Sequence, residues 1–259
     1  MQTADGAWNR EIKAILFDMD NTLFDFVTAK REACRLVIDH LRAGDAGELF
    51  EYFLRGVHGF EHHDNIRDYM KKTGSFSPRA FLECCSVYED EKLRRIEVYP
   101  GVAETLSCLK DAGIGLAVTT DAELRQADKR LNKTGLITFF DCVVTPDVSG
   151  RRKPEPDSLL YALNRLQVSP KEAMMVGDSP VRDIAPGKRL GMATAFAAYG
   201  DWRRSCAEPA GADIVLQAFP ELLGHLGLSA GRDLSRRADL FGRATRERDQ
   251  SPRSSAPRR

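Results

Sequence analysis

The chain carries no surplus of charge: 38 Lys and Arg stand against 38 Asp and Glu. That balance gives no ground for a nucleic acid or an anionic membrane as partner. No apolar run approaches the roughly 20 residues that cross a bilayer. The opening MQTADGAWNREIK lacks the apolar core of a secretory leader. Among the six cysteines, Cys34, Cys84, Cys85, Cys108, Cys142 and Cys206, no C-x-x-C pair occurs. Most sit inside apolar patterns, so reduced, buried thiols in a cytoplasmic protein are expected. Internal repeats are also missing, and no feature bears on oligomeric state.

What remains is an ordinary globular composition in 259 residues, 42% of them apolar. That suits one large domain, or a core with a smaller insert. Five short apolar runs stand out: Ala14–Phe17, Gly115–Thr119, Asp141–Thr145, Ala173–Val176 and Ala193–Ala198. Runs of this length without alternation predict strands buried on both faces, as in a parallel sheet. Helical patterns separate the later runs. Val102, Leu106 and Leu109 recur at helical spacing and Gly113 follows as a terminator. Leu159, Leu163 and Leu166 do the same. Ser169-Pro170-Lys171-Glu172 reads as a capping box with proline at the first helical position. Alternating strand and helix predicts an α/β fold with right-handed crossovers.

From about Phe26 to Val98 this rhythm breaks. The segment is far longer than a normal connection. Ala33, Leu36, Val37 and Leu41 form one helical stripe. Ser77-Pro78 starts a helix that carries Phe81, Cys84, Cys85 and Tyr88 on one face. The reading is a helical insert over the carboxyl ends of the strands. The last stretch, Ser229–Arg259, holds nine Arg, no Lys and four acids. It reads as a basic, solvated tail.

Chemistry gathers where the strands end. The first runs into Asp18-Met19-Asp20-Asn21-Thr22. Two carboxylates two residues apart at the end of a buried strand are costly unless paired or bound to metal. The second ends in Thr119-Thr120-Asp121, where a hydroxyl can bond an anionic oxygen. The third is followed by Arg151-Arg152-Lys153-Pro154-Glu155-Pro156, which offers a cation for phosphate. The fourth ends in Gly177-Asp178-Ser179, with Asp183 further on. In a parallel α/β sheet these ends share one crevice, where ligands bind. Oxygen donors without His or Cys suit Mg2+ rather than Zn2+. A carboxylate nucleophile would split phosphoryl transfer into two easier steps.

The order and spacing of these signals resemble the haloacid dehalogenase superfamily, in its helical-cap phosphatase subgroup. DMDNT fits the first motif of that family, D-x-D-x-T. Thr119-Thr120 fits the second, Lys153 in KPEP the third, and Gly177-Asp178-Ser179 with Asp183 the fourth, G-D-x-x-x-x-D. The match runs from about Ile12 to Phe219. Tyr99-Pro100-Gly101 resembles the return from a cap, and Ala212–Leu223 a closing strand and helix.

The resemblance implies a Rossmann-like parallel sheet of five or more strands with an inserted α-helical cap. Residues 10–25 and 99–228 would form the core and 26–98 the cap. It implies Mg2+-dependent hydrolysis of a small phosphorylated metabolite through an aspartyl phosphate. Asp18 would attack phosphorus. Asp20 would protonate the leaving oxygen, then activate water. Asp18, the backbone carbonyl of Asp20, and Asp178 would hold Mg2+. Thr120, with Thr119 as fallback, would bond a phosphoryl oxygen. Lys153 would bridge the phosphate and Asp18. Asp183 would orient the metal shell or Lys153.

Two departures stand out. Asp121 occupies a position where the family often has asparagine; an acid there would point to the cap, pair with a cation or read substrate. Pro186 interrupts the helix after the fourth motif and should kink or restart it. His58, His62 and His63 with Asp64 cluster in the insert. A metal site is one reading, surface or cap–core contact the other, and His62 and His63 are candidates to read substrate. A phosphomutase and a non-catalytic binding protein are the alternatives to a phosphatase. Strict dehalogenation does not need Asp20, and phosphonate hydrolysis needs a cap lysine that Lys71 and Lys72 do not convincingly supply.

Overall fold

The computed structural model describes residues 11–202 and 211–228. The basic tail and Cys206 lie outside these residues. The chain opens with β1 (Ala14–Phe17) and then four helices in succession. These are α1 (Phe26–Leu41), α2 (Ala46–Leu54), α3 (Asp64–Lys72) and α4 (Pro78–Arg94). Alternation follows: α5 (Val102–Asp111), β2 (Gly115–Thr119), α6 (Leu124–Lys133), β3 (Cys142–Val144), α7 (Pro146–Ser149) and α8 (Asp157–Leu166). The described chain closes with β4 (Ala173–Gly177), α9 (Ala185–Arg189), β5 (Ala193–Ala197), β6 (Ile214–Leu216) and α10 (Glu221–His225). Every strand pair is parallel, in the order β3-β2-β1-β4-β5-β6.

Successive strand residues point to opposite faces. Ile15, Phe17, Val118 and Val176 join one apolar layer with Leu106 of α5, Leu131 of α6 and Leu222 of α10. Ala14, Leu16, Ala117 and Met175 join the other, with Leu159 and Leu163 of α8. Both faces are covered, which is why the strands read as unbroken apolar runs. Burying each large side chain is worth about 1.5–3 kcal/mol.

Register places the site. Phe17 lies across from Val118 on one side and Val176 on the other. Asp18 therefore leaves β1 level with Thr119 and Gly177, with Thr120 and Asp178 one step further on. The expected closing strand and helix are β6 and α10. The Ser169 capping box forms, with its Glu172 partner at the backbone of Ser169, but it opens a single 3-10 turn rather than a longer helix. Ala173 follows at once as β4, leaving no room for more. Pro186 sits in the first turn of α9, at the point where the helical path changes register. One π-helical turn, Pro180–Ile184, precedes it.

The four inserted helices have an apolar cluster of their own, including Val37, Phe53, Tyr69, Cys84 and Tyr88. On α1 the buried stripe is Ala29, Lys30, Ala33, Cys34 and Val37, while Leu36 and Leu41 are only half-buried. The expected stripe thus holds at Ala33 and Val37, and a lysine, Lys30, is buried beside them. Two linkers join this unit to the sheet. Asp25 donates its N–H to the Glu97 carbonyl at 3.0 Å, and Tyr99 donates to Leu23 at 3.1 Å.

Candidate active site

The loop after β1 turns sharply. Asn21 takes φ of 60°, a conformation asparagine tolerates better than most residues. Its Oδ1 then accepts the N–H groups of Phe26 at 3.2 Å and Val27 at 3.1 Å. One residue of the acidic motif therefore caps the first inserted helix. From the other side, the Tyr199 hydroxyl donates to the Thr22 carbonyl at 2.8 Å. Gly200 lies so near that a Cβ there would fall 1.7 Å from the Asn21 carbonyl oxygen.

The structure gathers Asp18, Asp178 and Asp183, each offering an oxygen within 4.8 Å of the others. Lys153 enters this group from the loop between α7 and α8. Its Nζ donates to Asp18 Oδ1 at 2.5 Å, Asp183 Oδ1 at 2.6 Å and the Thr119 carbonyl at 2.9 Å. Burial disfavours the ammonium, but Asp18, Asp183 and Asp121 outweigh it and hold its pKa above the usual lysine range. Asp18 Oδ2 keeps one long contact, the Thr22 hydroxyl at 3.5 Å.

Asp183 spends its second oxygen on the Ser179 N–H at 3.0 Å. Burial pushes its carboxyl up to about 6 against the pull of Lys153. Asp178 differs: its Oδ1 is buried with no partner. Burial, together with the charges of Asp18 and Asp183, holds its pKa well above the carboxylate range. A buried acid with an orphaned oxygen beside two other acids is suited to hold a cation. All the donors are oxygens, which fits magnesium better than zinc. With both Asp183 oxygens engaged, Asp178 is the free donor and Asp183 the brace for Lys153.

The two threonines separate. Thr119 Oγ1 turns into the core toward Met175 Sδ at 3.8 Å. Thr120 stands beyond the strand end, where its Oγ1 accepts the Ala122 N–H at 3.1 Å. Asp121 finds a cation, and more. Its Oδ1 accepts the Lys153 N–H at 2.9 Å and its Oδ2 lies 3.6 Å from Arg182. Arg152 also bonds its carbonyl oxygen. Asp121 therefore braces the lysine loop, a use that an asparagine could serve only in part.

Asp20 is engaged differently. Arg130 Nη1 of α6 donates to Asp20 Oδ2 at 2.7 Å, while Oδ1 is buried without a partner. Burial pushes the Asp20 carboxyl up to about 7; Arg130 opposes this, and Glu61 and Asp18 add to it. Arg130 also pairs with Glu61 of the inserted unit. From there ion pairs run Glu61–Lys92 at 3.1 Å, Lys92–Glu89 at 2.8 Å and Glu89–His63 at 2.9 Å. His63 thus joins the site only at the end of a chain of charges. His62 is mostly exposed, and its Nδ1 accepts the Asp64 N–H at 3.2 Å. His58 pairs with Asp68 at 2.9 Å. Neither His62 nor His63 sits among the carboxylates around Asp18.

Sequence reading did not find Arg130, Glu61 or Lys30. Lys30 is wholly buried, bonded to the Phe60 carbonyl and facing the Phe53 ring at 4.3 Å. Burial brings its pKa down to about 7. A signal existed for both cations. Arg130 shares the buried face of α6 with Ala127 and Leu131, and Lys30 that of α1 with Ala33 and Cys34.

The sequence model of haloacid dehalogenase-like hydrolases matches residues 12–191. The chain belongs to that family. It is 31% identical over 200 residues to the glyceraldehyde 3-phosphate phosphatase of Methanocaldococcus jannaschii, spanning 74% of this chain and 87% of the relative. It is 31% identical over 228 residues to the pyrophosphatase PpaX of Halalkalibacterium halodurans, spanning 85% and 99%. The fold is shared with the magnesium-bound HAD-hydrolase YfnB of Bacillus subtilis, at TM-score 0.68 and 20% identity, over 85% of this chain and all of that one.

Proposed function

We propose that this haloacid dehalogenase-like hydrolase is a magnesium-dependent phosphatase of small phosphorylated metabolites that works through a phosphoryl group on Asp18. The observation that carries the reading is the buried set of Asp18, Asp178 and Asp183 around Lys153, with Asp178 Oδ1 left unpaired. The relatives named for glyceraldehyde 3-phosphate and pyrophosphate support the substrate class.

In this account an Asp18 oxygen attacks phosphorus and the ester P–O bond breaks. Asp20 gives a proton to the departing oxygen through Oδ1, the atom that Arg130 leaves free. Water then attacks the phosphorus of the acyl phosphate, Asp20 takes its proton, and the Asp18–phosphorus bond breaks to release phosphate. Lys153 and Thr120 hold the phosphoryl oxygens in line. Asp18, Asp178 and the Asp20 backbone carbonyl would hold magnesium. A bound magnesium ion would screen the repulsion between carboxylate and phosphate. Residues 26–98 act as a cap on the core of residues 10–25 and 99–228, hinged at the paired linkers. Closure excludes water from the acyl phosphate.

Phosphate release from a panel of phosphorylated metabolites, with magnesium or with excess chelator, tests the reading. Magnesium should restore activity after chelation, while calcium, with its looser coordination, should not. Full activity in chelator would overturn it.

A further inference from the structure

We propose that Arg130 is the positioning residue for Asp20, and that Glu61 makes this positioning depend on the inserted unit. The inference rests on the acid–base reading of Asp20 and concerns what makes that residue competent.

A carboxylate on a short side chain can rotate. Beside the charge of Asp18 it gains by turning away. Arg130 prevents this with a planar donor that is itself fixed on three sides. Nη1 holds Asp20 Oδ2 at 2.7 Å and Nη2 pairs with Glu61. The guanidinium lies over the Phe26 ring at 3.9 Å. The Arg130 side chain is 1% exposed, so its guanidinium has these groups in place of water. Only one oxygen of Asp20 is taken. The other is buried and unpaired, the arrangement a proton carrier needs: one atom for orientation, one for transfer.

A structural purpose alone explains this poorly. A buried ion pair adds little stability over an apolar isostere, and a purely structural network would satisfy Asp20 Oδ1 as well. The placement of the partners carries the second half of the proposal. Arg130 belongs to α6 beside the sheet, whereas Glu61 lies between α2 and α3. The clamp therefore bridges the two units. Glu61 is charged when it does so: burial disfavours its carboxylate, but Arg130, Lys92 and Lys30 hold its pKa down near about 2. When the inserted unit swings away, Arg130 loses its outer partner and Asp20 its fixed orientation.

The test is single-turnover phosphorylation of the full-length enzyme with magnesium, using ethyl phosphate and p-nitrophenyl phosphate in parallel. A general acid contributes about 10²–10⁴-fold, mostly with poor leaving groups. Arg130→Met should slow transfer from ethyl phosphate at least about 100-fold and from the nitrophenyl ester less than about tenfold. Arg130→Lys should recover part of the difference, and Glu61→Gln should shift the ratio in the same direction by less. In an Asp20→Asn background, Arg130→Met should leave the ratio unchanged. If the Arg130→Met variant does not fold, the Arg130→Lys and Glu61→Gln ratios decide. Equal slowing of both esters in folded Arg130 variants, with a shifted ratio in Asp20→Asn, overturns the clamp alone. An unshifted ratio in Asp20→Asn itself removes the acid–base reading, and the clamp with it.

Discussion

Gly177 and Asp183 are in contact that no side chain at position 177 could share. A Cβ on Gly177 would lie 2.4 Å from Asp183 Cγ and 2.4 Å from its Oδ2. The strand carrying Asp178 thus passes directly against the acid that braces Lys153.

Gly177→Ala should therefore injure the site as well as the fold. Overpacking of this kind costs about 1–3 kcal/mol, and Asp183 can relieve it only by giving up the Ser179 N–H or Lys153. The denaturation midpoint should fall, and kcat should fall more than tenfold, on the order of the loss expected when a positioned charge is misplaced. A variant with lowered stability but unchanged kcat would separate Asp183 from catalysis.

The threonines give a second, internal comparison. Thr119 faces Met175, so Thr119→Val should fold and turn over substrate nearly as before. Thr120→Val removes the hydroxyl at the strand end and should raise KM about tenfold, the size of one lost hydrogen bond to a charged group. The reverse ranking would move the phosphate contact to Thr119.

Much of this was readable before any coordinates. The strands showed because both sheet faces are covered, which turns β1, β2 and β4 into bare apolar runs. The acids showed because they follow those runs directly. The Arg130–Glu61–Lys92 network did not: the place of Arg130 on the apolar face of α6 hinted at burial, but its partners are far apart in sequence. Asp121 was visible as an anomaly, but its use depended on where the Lys153 loop lands. The length of the Ser169 turn depended on how soon β4 begins.

His63 predicts a pH signature of stability. Its interactions with Cys85 and with Glu89, to which it is hydrogen-bonded, raise its pKa from 6.5 to about 9 in the folded chain. A raised pKa means the folded state holds the proton more tightly. The stabilisation is complete below about 6.5, the unfolded value, and fades as pH rises through 9. Thermal midpoints of the wild type and His63→Gln should differ most at pH 6 and converge near pH 10. A gap that does not change with pH would mean His63 acts through packing alone.

The central claim is a covalent bond between Asp18 and phosphorus, and it can be trapped. The enzyme is mixed with magnesium and a phosphate ester carrying labelled phosphorus, quenched in acid within one turnover, digested and mapped. The account predicts label on the peptide containing Asp18, lost on treatment with hydroxylamine as an acyl phosphate should be. Asp20→Asn with the nitrophenyl ester should accumulate it, and a folded Asp18→Asn variant should show neither label nor turnover. Rapid phosphate release with no label on any peptide, and at least a tenth of the wild-type kcat retained by Asp18→Asn, would contradict it.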